Sequence, residues 1–174
     1  MKKKIFISLV VFLIGTCLAG LIVYKTNLHE KENKLTITQL NATTYGERIK
    51  QEISDGIKIA HTLQQLLIDE NGIINKFDTI ANNLVNDSVE SIQLAPNGVV
   101  TDIYPEDGNE AGRIDLLNDK ERGKISCYAR DNHILITQGP FELKQGGEGI
   151  AIRNPVYLED GTGQEYFWGF TIVI

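Results

Sequence analysis

The feature that most constrains this chain is an uninterrupted apolar run, Ile5–Tyr24, which contains no charged side chain. At about 1.5 Å of rise per residue, such a helix spans about 30 Å, the thickness of a bilayer's hydrocarbon core. Lysines at positions 2–4 precede the run, and Lys25 follows it. Because basic residues accumulate on the cytoplasmic side, we expect a single-pass anchor in the plasma membrane, with a cytoplasmic N-terminus and the remaining chain outside.

A cleaved secretory signal peptide is the alternative interpretation of this run. It follows a basic start and contains small residues at Ala19 and Gly20. The apolar stretch is, however, longer than the roughly 7–15 residues of a signal peptide's hydrophobic region. The sequence therefore favours a retained anchor over residues 1–25.

Beyond residue 24 the chain is acidic, with 14 basic side chains against 23 acidic ones, a net charge of −9. Such a surface repels phosphate backbones, so we expect no nucleic-acid partner. The chain has two cysteines, of which Cys17 lies in the apolar run and Cys127 is the single thiol in the rest. This arrangement excludes an internal disulfide and a cysteine-based metal site in that part of the chain.

Residues 26–69 are predicted to form a helical stalk. Gly46 and Gly56 each weaken a helix by about 1 kcal/mol relative to alanine, so this helix needs packing partners. Its apolar stripe is either covered by its own domain or paired with the same stripe of a second chain in a parallel homodimer. The side chains of the stripe recur at steps of three or four: Ala42, Tyr45, Ile49, Ile53, Ile57, Ala60, Leu63 and Leu67.

Asn71-Gly72 interrupts this pattern, and a shorter amphipathic helix is predicted from Ile73 to Val85. A third helix is predicted from a cap at Asn118, with Glu121 at the capping-box position, to about Asp131. Residues 70–174 also contain five strand-like segments, which are Ser91–Ala95, Val99–Tyr104, Ile134–Thr137, Gly149–Leu158 and Tyr166–Ile174.

The predicted fold class is therefore α+β. A transmembrane helix and a long amphipathic helix precede a PAS-like antiparallel sheet with helices, incomplete at its C-terminus. A curved sheet with a helix over one face encloses a cavity, but the architecture alone identifies no ligand.

A set of short motifs in residues 70–174 carries a family resemblance. Together they resemble the CHASE domain, an extracytoplasmic sensory module found ahead of histidine kinases and of GGDEF or EAL cyclic-di-GMP proteins, and in plant cytokinin receptors. The motifs are Ser91–Val100, Tyr104-Pro105, Gly108–Glu110, Asp115–Asp119, Ala129–Asp131, Gly139-Pro140, Gln145–Gly147, Arg153–Tyr157 and Phe167–Phe170.

The resemblance implies a PAS-like ligand-sensing domain that is held as a dimer by its N-terminal helix. Similarity to the cytokinin receptors places their ligand-contacting aspartate on Asp115, and it places a residue whose backbone contacts the ligand on Thr137. The segment Asn109–Asp115 looks one residue shorter than the usual bacterial spacing.

The chemistry of the candidate ligand-binding residues leaves alternatives open. Asp115 can accept hydrogen bonds from a ligand amine, or it can interact with the start of the helix that follows it. Arg130 and Arg153 can bind a carboxylate or phosphate bidentately, or they can form structural ion pairs, for example with Asp131 or Glu148.

No arrangement of residues points to catalysis. His29, His61 and His133 are far apart in the sequence and lack ligand-like spacing, so no metal or cofactor is predicted. The sequence contains no Gly-x-Ser-x-Gly elbow, phosphate-binding glycine-rich loop or Cys–His nucleophile pair. Kinase and cyclase signatures are also absent, so we expect no enzyme activity.

The predicted function is that of a membrane-anchored sensor domain that binds a small molecule and signals through a dimer. The alternative is a non-catalytic extracytoplasmic protein-interaction module without a small ligand. The sequence ends at Thr171–Ile174 inside an apolar strand. We therefore expect a truncated, N-terminal fragment of a longer receptor with a histidine kinase or cyclic-di-GMP output.

Overall fold

The computed structural model describes residues 2–106, 114–142 and 147–174, which form three helices and five strands. The motif Gly108–Glu110 and the first two residues of the motif Gln145–Gly147 lie outside these ranges. The elements are α1 (Lys2–Asp69), α2 (Phe77–Leu84), β1 (Ile92–Pro96), β2 (Asp102–Tyr104), α3 (Gly123–Asn132), β3 (Ile136–Glu142), β4 (Glu148–Glu159) and β5 (Glu165–Val173).

The chain divides into two compact units, Met1–Ile49 and Lys50–Ile174. The described part of the first unit is helical throughout. From Leu9 onward, α1 contains an 18-residue stretch with a mean hydropathy of 2.0, none of it buried. The Thr16 hydroxyl in this region donates a hydrogen bond to the Phe12 carbonyl at 3.1 Å, so its polar group is satisfied within the helix. In length and composition, this helix is suited to crossing a membrane.

The second unit contains a five-stranded antiparallel sheet with the order β2-β1-β5-β4-β3. The α+β class and the antiparallel sheet predicted from the sequence are confirmed. Two strands differ from the prediction by more than one residue. β2 begins at Asp102 rather than Val99, because Val99 instead forms an isolated bridge with Asp115. β3 runs on past Thr137 to Glu142, along the edge of β4.

The last part of α1 covers one face of the sheet. Ala60, Leu63 and Leu67 are fully buried in a core with Ile152 of β4 and Val173 of β5. This part of the predicted stripe is therefore covered by its own domain, as one of the two interpretations required. The helix then ends at Asp69.

Two features of α1 explain how it reaches the sheet and stops there. A Cβ atom added to Gly56 would lie 2.5 Å from the Ile152 Cδ1 atom, so glycine permits the close approach. After the helix, Asn71 and Gly72 both have positive φ angles, of 53° and 86°. The Gly72 N–H donates to the Leu67 carbonyl at 2.7 Å, which satisfies a helix-terminal acceptor. The predicted break at Asn71-Gly72 is confirmed.

The opposite face of the sheet is covered by α3 and by the turn before it. The predicted capping box at Asn118 is wrong, since α3 begins at Gly123. The Asp119 carboxylate, rather than Asn118, accepts hydrogen bonds from the backbone N–H groups of Glu121 at 2.9 Å and Arg122 at 2.8 Å. These bonds hold residues 119–122 in turns and delay the helix by one turn. The resulting core contains Ala95, Val100, Ile103, Leu116, Ala129, Ile136, Phe170 and Ile172.

Candidate functional site

The candidate site is a polar layer between α3 and the sheet, and Arg153 is at its centre. Along β4, the side chains of Ile152 and Asn154 point toward α1, where the Asn154 amide donates to Gln64 Oε1 at 3.0 Å. Because side chains alternate along a strand, Arg153 points to the opposite face. Its Cα partners on that face are Ile136 of β3 and Ile172 of β5, which both belong to the core beneath α3.

α3 presents small residues to this face. Gly123, Ser126 and Ala129 recur at a spacing of three and are the buried residues of the helix. This spacing places them on one side of α3. Ser126, which is fully buried, and Arg153, which is 2% exposed, therefore occupy the same layer between helix and sheet.

The polar atoms of this layer are incompletely paired. The Arg153 guanidinium donates from Nη1 to Gln138 Oε1 at 2.5 Å. Arg153 Nε and the Ser126 hydroxyl oxygen are buried without a hydrogen-bond partner among the described residues. Leaving a buried polar group unpaired typically costs about 1–3 kcal/mol, and more for a charged group. Each of these atoms can therefore pair with a bound water, an ion or a polar ligand.

The electrostatics of the layer favour an anion. The pKa of Arg153 is lowered from its ordinary range to about 10, first by burial and then by the positive charge of Arg122, while Asp119 acts in the opposite direction. Arg153 therefore remains protonated at neutral pH. Asp119 is already paired with Arg122, at 3.3 Å between Oδ2 and Nη1. These three residues thus place two positive charges beside one negative charge.

Asp115 lies in the turn that precedes α3. Its Oδ1 accepts the N–H groups of Leu117 and Asn118, both at 3.1 Å, and its Oδ2 accepts the Asn118 amide at 2.8 Å. The Asn118 side-chain hydrogen bond is the largest cause of a lowered pKa for Asp115, followed by the backbone bond from Asn118. The carboxylate thus organises its own turn, whereas α3 begins only at Gly123.

Arg130 and Thr137 lie apart from the polar layer. Arg130 is paired with Asp131 at 2.8 Å, as the ion-pair interpretation predicts, and its backbone carbonyl accepts a hydrogen bond from the Tyr157 hydroxyl. Thr137 is exposed on β3, and its Cα partner is Ile152, whose side chain points toward α1. The structure therefore does not bring the Thr137 or Arg130 side chains together with that of Arg153.

Sequence reasoning did not identify Ser126, Gln138, Asp119 or Arg122 as site residues. Two signals were available in the sequence. Arg153 is the single cation within the apolar segment 150–158, and Ser126 stands midway between Gly123 and Ala129 at helical spacing. The pairing of Gln138 with Arg153 depends on strand register, which single-sequence patterns do not specify.

A cleft lies between the β4–β5 hairpin and the end of α1. It has a volume of about 480 Å³, and its lining includes Glu159 and Glu165. Beside it, His133 stacks on Tyr157 with ring centroids 3.9 Å apart. The carboxylates of Glu159 and Glu165 disfavour an anionic ligand in this cleft. No group of three metal-ligating side chains occurs among the described residues. We therefore take the polar layer as the better candidate site.

Comparisons with known proteins show a likeness of fold. No protein-family model matches the sequence, and no curated protein matches it. One solved structure that matches is an extracellular ligand binding receptor from Desulfohalobium retbaense, with a TM-score of 0.55 and 15% sequence identity. The match covers 73% of this chain but 23% of the receptor chain, so the protein described here spans about a quarter of its neighbour's length.

Proposed function

We propose that this chain is a membrane-anchored, extracytoplasmic ligand-sensing domain of the CHASE type. In this proposal it belongs to a transmembrane signalling receptor with a histidine kinase or cyclic-di-GMP output. The observation that carries the proposal is the incompletely paired layer between α3 and the sheet, where Arg153 and Ser126 each bury a polar atom without a partner among the described residues. A protein that needed this layer only as core would gain stability from apolar side chains there.

The anchor and the fold support the same proposal. The apolar segment of α1 is suited to a membrane, and the lysines at positions 2–4 favour a cytoplasmic N-terminus. The neighbour of similar fold is described as an extracellular ligand binding receptor. These features are consistent with a sensor domain held outside the cell by its N-terminal helix.

Among the four candidate ligand-binding residues, the geometry favours Arg153 most strongly. Asp115 and the backbone of Thr137 remain proposed contacts from the resemblance to cytokinin receptors. Arg130 is the weakest candidate, because its guanidinium already has a carboxylate partner in Asp131.

We also propose that the sensor acts as a homodimer through α1. Leu63 and Leu67 are buried within their own domain, so the seam must use the earlier part of the stripe. There Ala42, Tyr45 and Ile49 follow each other at steps of three and four residues and are exposed. A ligand that favours one arrangement of the two chains would then shift a pre-existing equilibrium between signalling states.

A thermal-shift screen of the full chain in detergent micelles tests ligand sensing. Trp168 is the single tryptophan and packs against the core beneath α1, so its fluorescence reports unfolding of the sheet domain. A ligand at about 100 times its Kd adds about 2.7 kcal/mol to the free energy of unfolding, which is a rise of several degrees in Tm. We expect such a rise from at least one compound among amino acids, organic acids, adenine derivatives and short peptides. The absence of a shift from all four classes would contradict the proposed function.

A further inference from the structure

We propose that the ligand is a small carboxylic acid, an organic acid or an amino acid, whose carboxylate is bound between Arg153 on β4 and Ser126 on α3. This inference rests on the proposed sensing function and specifies the chemical class of its ligand. It depends on three observations: unused donors, an excess of positive charge and apolar surroundings.

The unused donors are suited to a carboxylate. A guanidinium presents five N–H donors in a plane, and Arg153 directs one of its amino groups to Gln138 while Nε has no acceptor among the described residues. Across the layer, the Ser126 hydroxyl also lacks a partner there. A planar carboxylate has two oxygens and can therefore accept from the guanidinium and from the hydroxyl at once.

The charged side chains of the layer have one more positive than negative charge. Arg122 and Arg153 carry two positive charges, Asp119 supplies one negative charge, and the side chain that contacts Arg153 is the neutral Gln138. A monoanionic group balances this set. A phosphate dianion would exceed it and would need more donors than the two unpaired atoms provide.

The neighbours of Arg153 favour an organic body on that carboxylate. Its Cα partners on the adjacent strands are Ile136 and Ile172, and Phe170 belongs to the same core. A ligand site of this kind is mainly apolar, with a few polar groups that fix the orientation of the ligand. A small acid with an apolar portion satisfies both parts of this environment.

Arg153→Met separates this inference from a merely structural role of the arginine. The full chain in detergent micelles is titrated with propionate, succinate, pyruvate, L-alanine and L-leucine, and with the amides of the same acids, in which an uncharged carboxamide replaces each carboxylate, while Trp168 fluorescence follows unfolding. We expect at least one acid to raise the Tm of the wild type and its amide to have no effect. In Arg153→Met the affinity for that acid should fall at least 100-fold, while the Tm without ligand should stay equal or rise, because methionine replaces an incompletely paired buried charge.

Matched variants assign the effect to this layer. Lys124→Met removes a positive charge from the exposed side of α3 and should leave the affinity unchanged. Ser126→Ala should weaken binding about tenfold through loss of one hydrogen bond. If Arg153→Met does not fold, Arg153→Lys replaces it, because lysine keeps the charge but lacks the planar fork and should weaken binding at least tenfold.

The outcomes distinguish the inference from the proposed function. Binding that survives Arg153→Met, or an amide that binds as well as its acid, would overturn the carboxylate site while leaving ligand sensing intact. Stabilisation by an adenine derivative or a peptide, but by none of the acids, would also overturn it. A chain that no small molecule stabilises would contradict the sensing function itself. The comparison of L-alanine with propionate separates amino acids from simple acids, because the two differ by the ammonium group.

Discussion

Arg153 on β4 buries its guanidinium group beneath α3. Removing a charge from water costs several kcal/mol unless its donors are paired, and a neutral glutamine compensates only in part. Arg153 has that neutral partner in Gln138, while the acidic Asp119 is paired with Arg122. The carboxylate ligand proposed above would supply the missing negative charge and acceptor for Arg153.

Asp115 allows a prediction at the same scale, because its carboxylate holds the turn before α3. Asp115→Ala should lower the free energy of unfolding at neutral pH by about 1 kcal/mol, as typical for loss of a side-chain hydrogen bond that holds a turn. The pKa of Asp115 is lowered in the folded state, from 3.8. Its contribution is therefore complete above that value and is lost as the pH falls through the lower folded pKa. Thermal unfolding of both proteins from pH 7 to pH 2 should show their difference disappearing in acid.

The control for this prediction is Asp87→Ala, at an exposed position in the segment before β1, which should change the stability little at any pH. A difference between Asp115→Ala and the wild type that stays constant into acid would contradict the role of this carboxylate in the turn. The same variant tests the proposed ligand contact. If folded Asp115→Ala keeps the full ligand-induced rise in Tm, the assignment of Asp115 to the site is wrong.

At the scale of elements, α1 combines two surfaces along one helix. Near its end, the Thr171 hydroxyl donates to the Ala60 carbonyl at 3.0 Å, and Leu63 and Leu67 are buried. Further toward the N-terminus, Tyr45 is 67% exposed and Ile49 is 52% exposed. The same apolar periodicity therefore continues from a covered surface to an uncovered one, and the uncovered part is available to a second chain.

If α1 forms a homodimer through this uncovered part, acidic side chains introduced there should dissociate the dimer. Tyr45→Glu combined with Ile49→Glu should convert a dimer of the full chain in detergent micelles to a monomer, because two carboxylates would be desolvated in the seam of each chain. Light scattering corrected for detergent measures the protein mass. Thr44→Glu places a carboxylate on the other side of the helix and should leave the dimer intact. A wild type that is monomeric, or a double variant that stays dimeric, would contradict the seam.

Sequence patterns predicted some of the helix and strand boundaries but not others. The strands were predictable because each is an apolar run bounded by turn residues, and Asn71-Gly72 identified the end of α1 correctly. The start of α3 was not predictable from the capping-box spacing, because Asp115 accepts the N–H of Asn118 while Asp119 accepts those of Glu121 and Arg122, and these turns displace the start of the helix. Arg153 was a candidate from its side-chain chemistry, but its neighbours Gln138 and Ser126 come from strand register and helix packing, which are tertiary.

At the scale of the whole molecule, an apolar helix suited to a membrane precedes an α+β domain whose sheet is covered on both faces. On the face under α1, the sheet makes apolar contacts with the helix, and the side chains of Asn154 and Thr171 donate hydrogen bonds to it. The face under α3 contains the unpaired atoms of Arg153 and Ser126. The proposed ligand site therefore lies on the α3 side of the sheet.

Hydrogen–deuterium exchange of the full chain in detergent micelles, with and without the compound that gives the largest thermal shift, tests this arrangement most directly. Binding between α3 and the sheet should slow amide exchange in Gly123–Asn132 and Glu148–Glu159 and should leave the exchange at the Glu159–Glu165 hairpin unchanged. If the ligand slowed exchange only at that hairpin or only within Met1–Ile49, with α3 and β4 unaffected, the site proposed here would be contradicted.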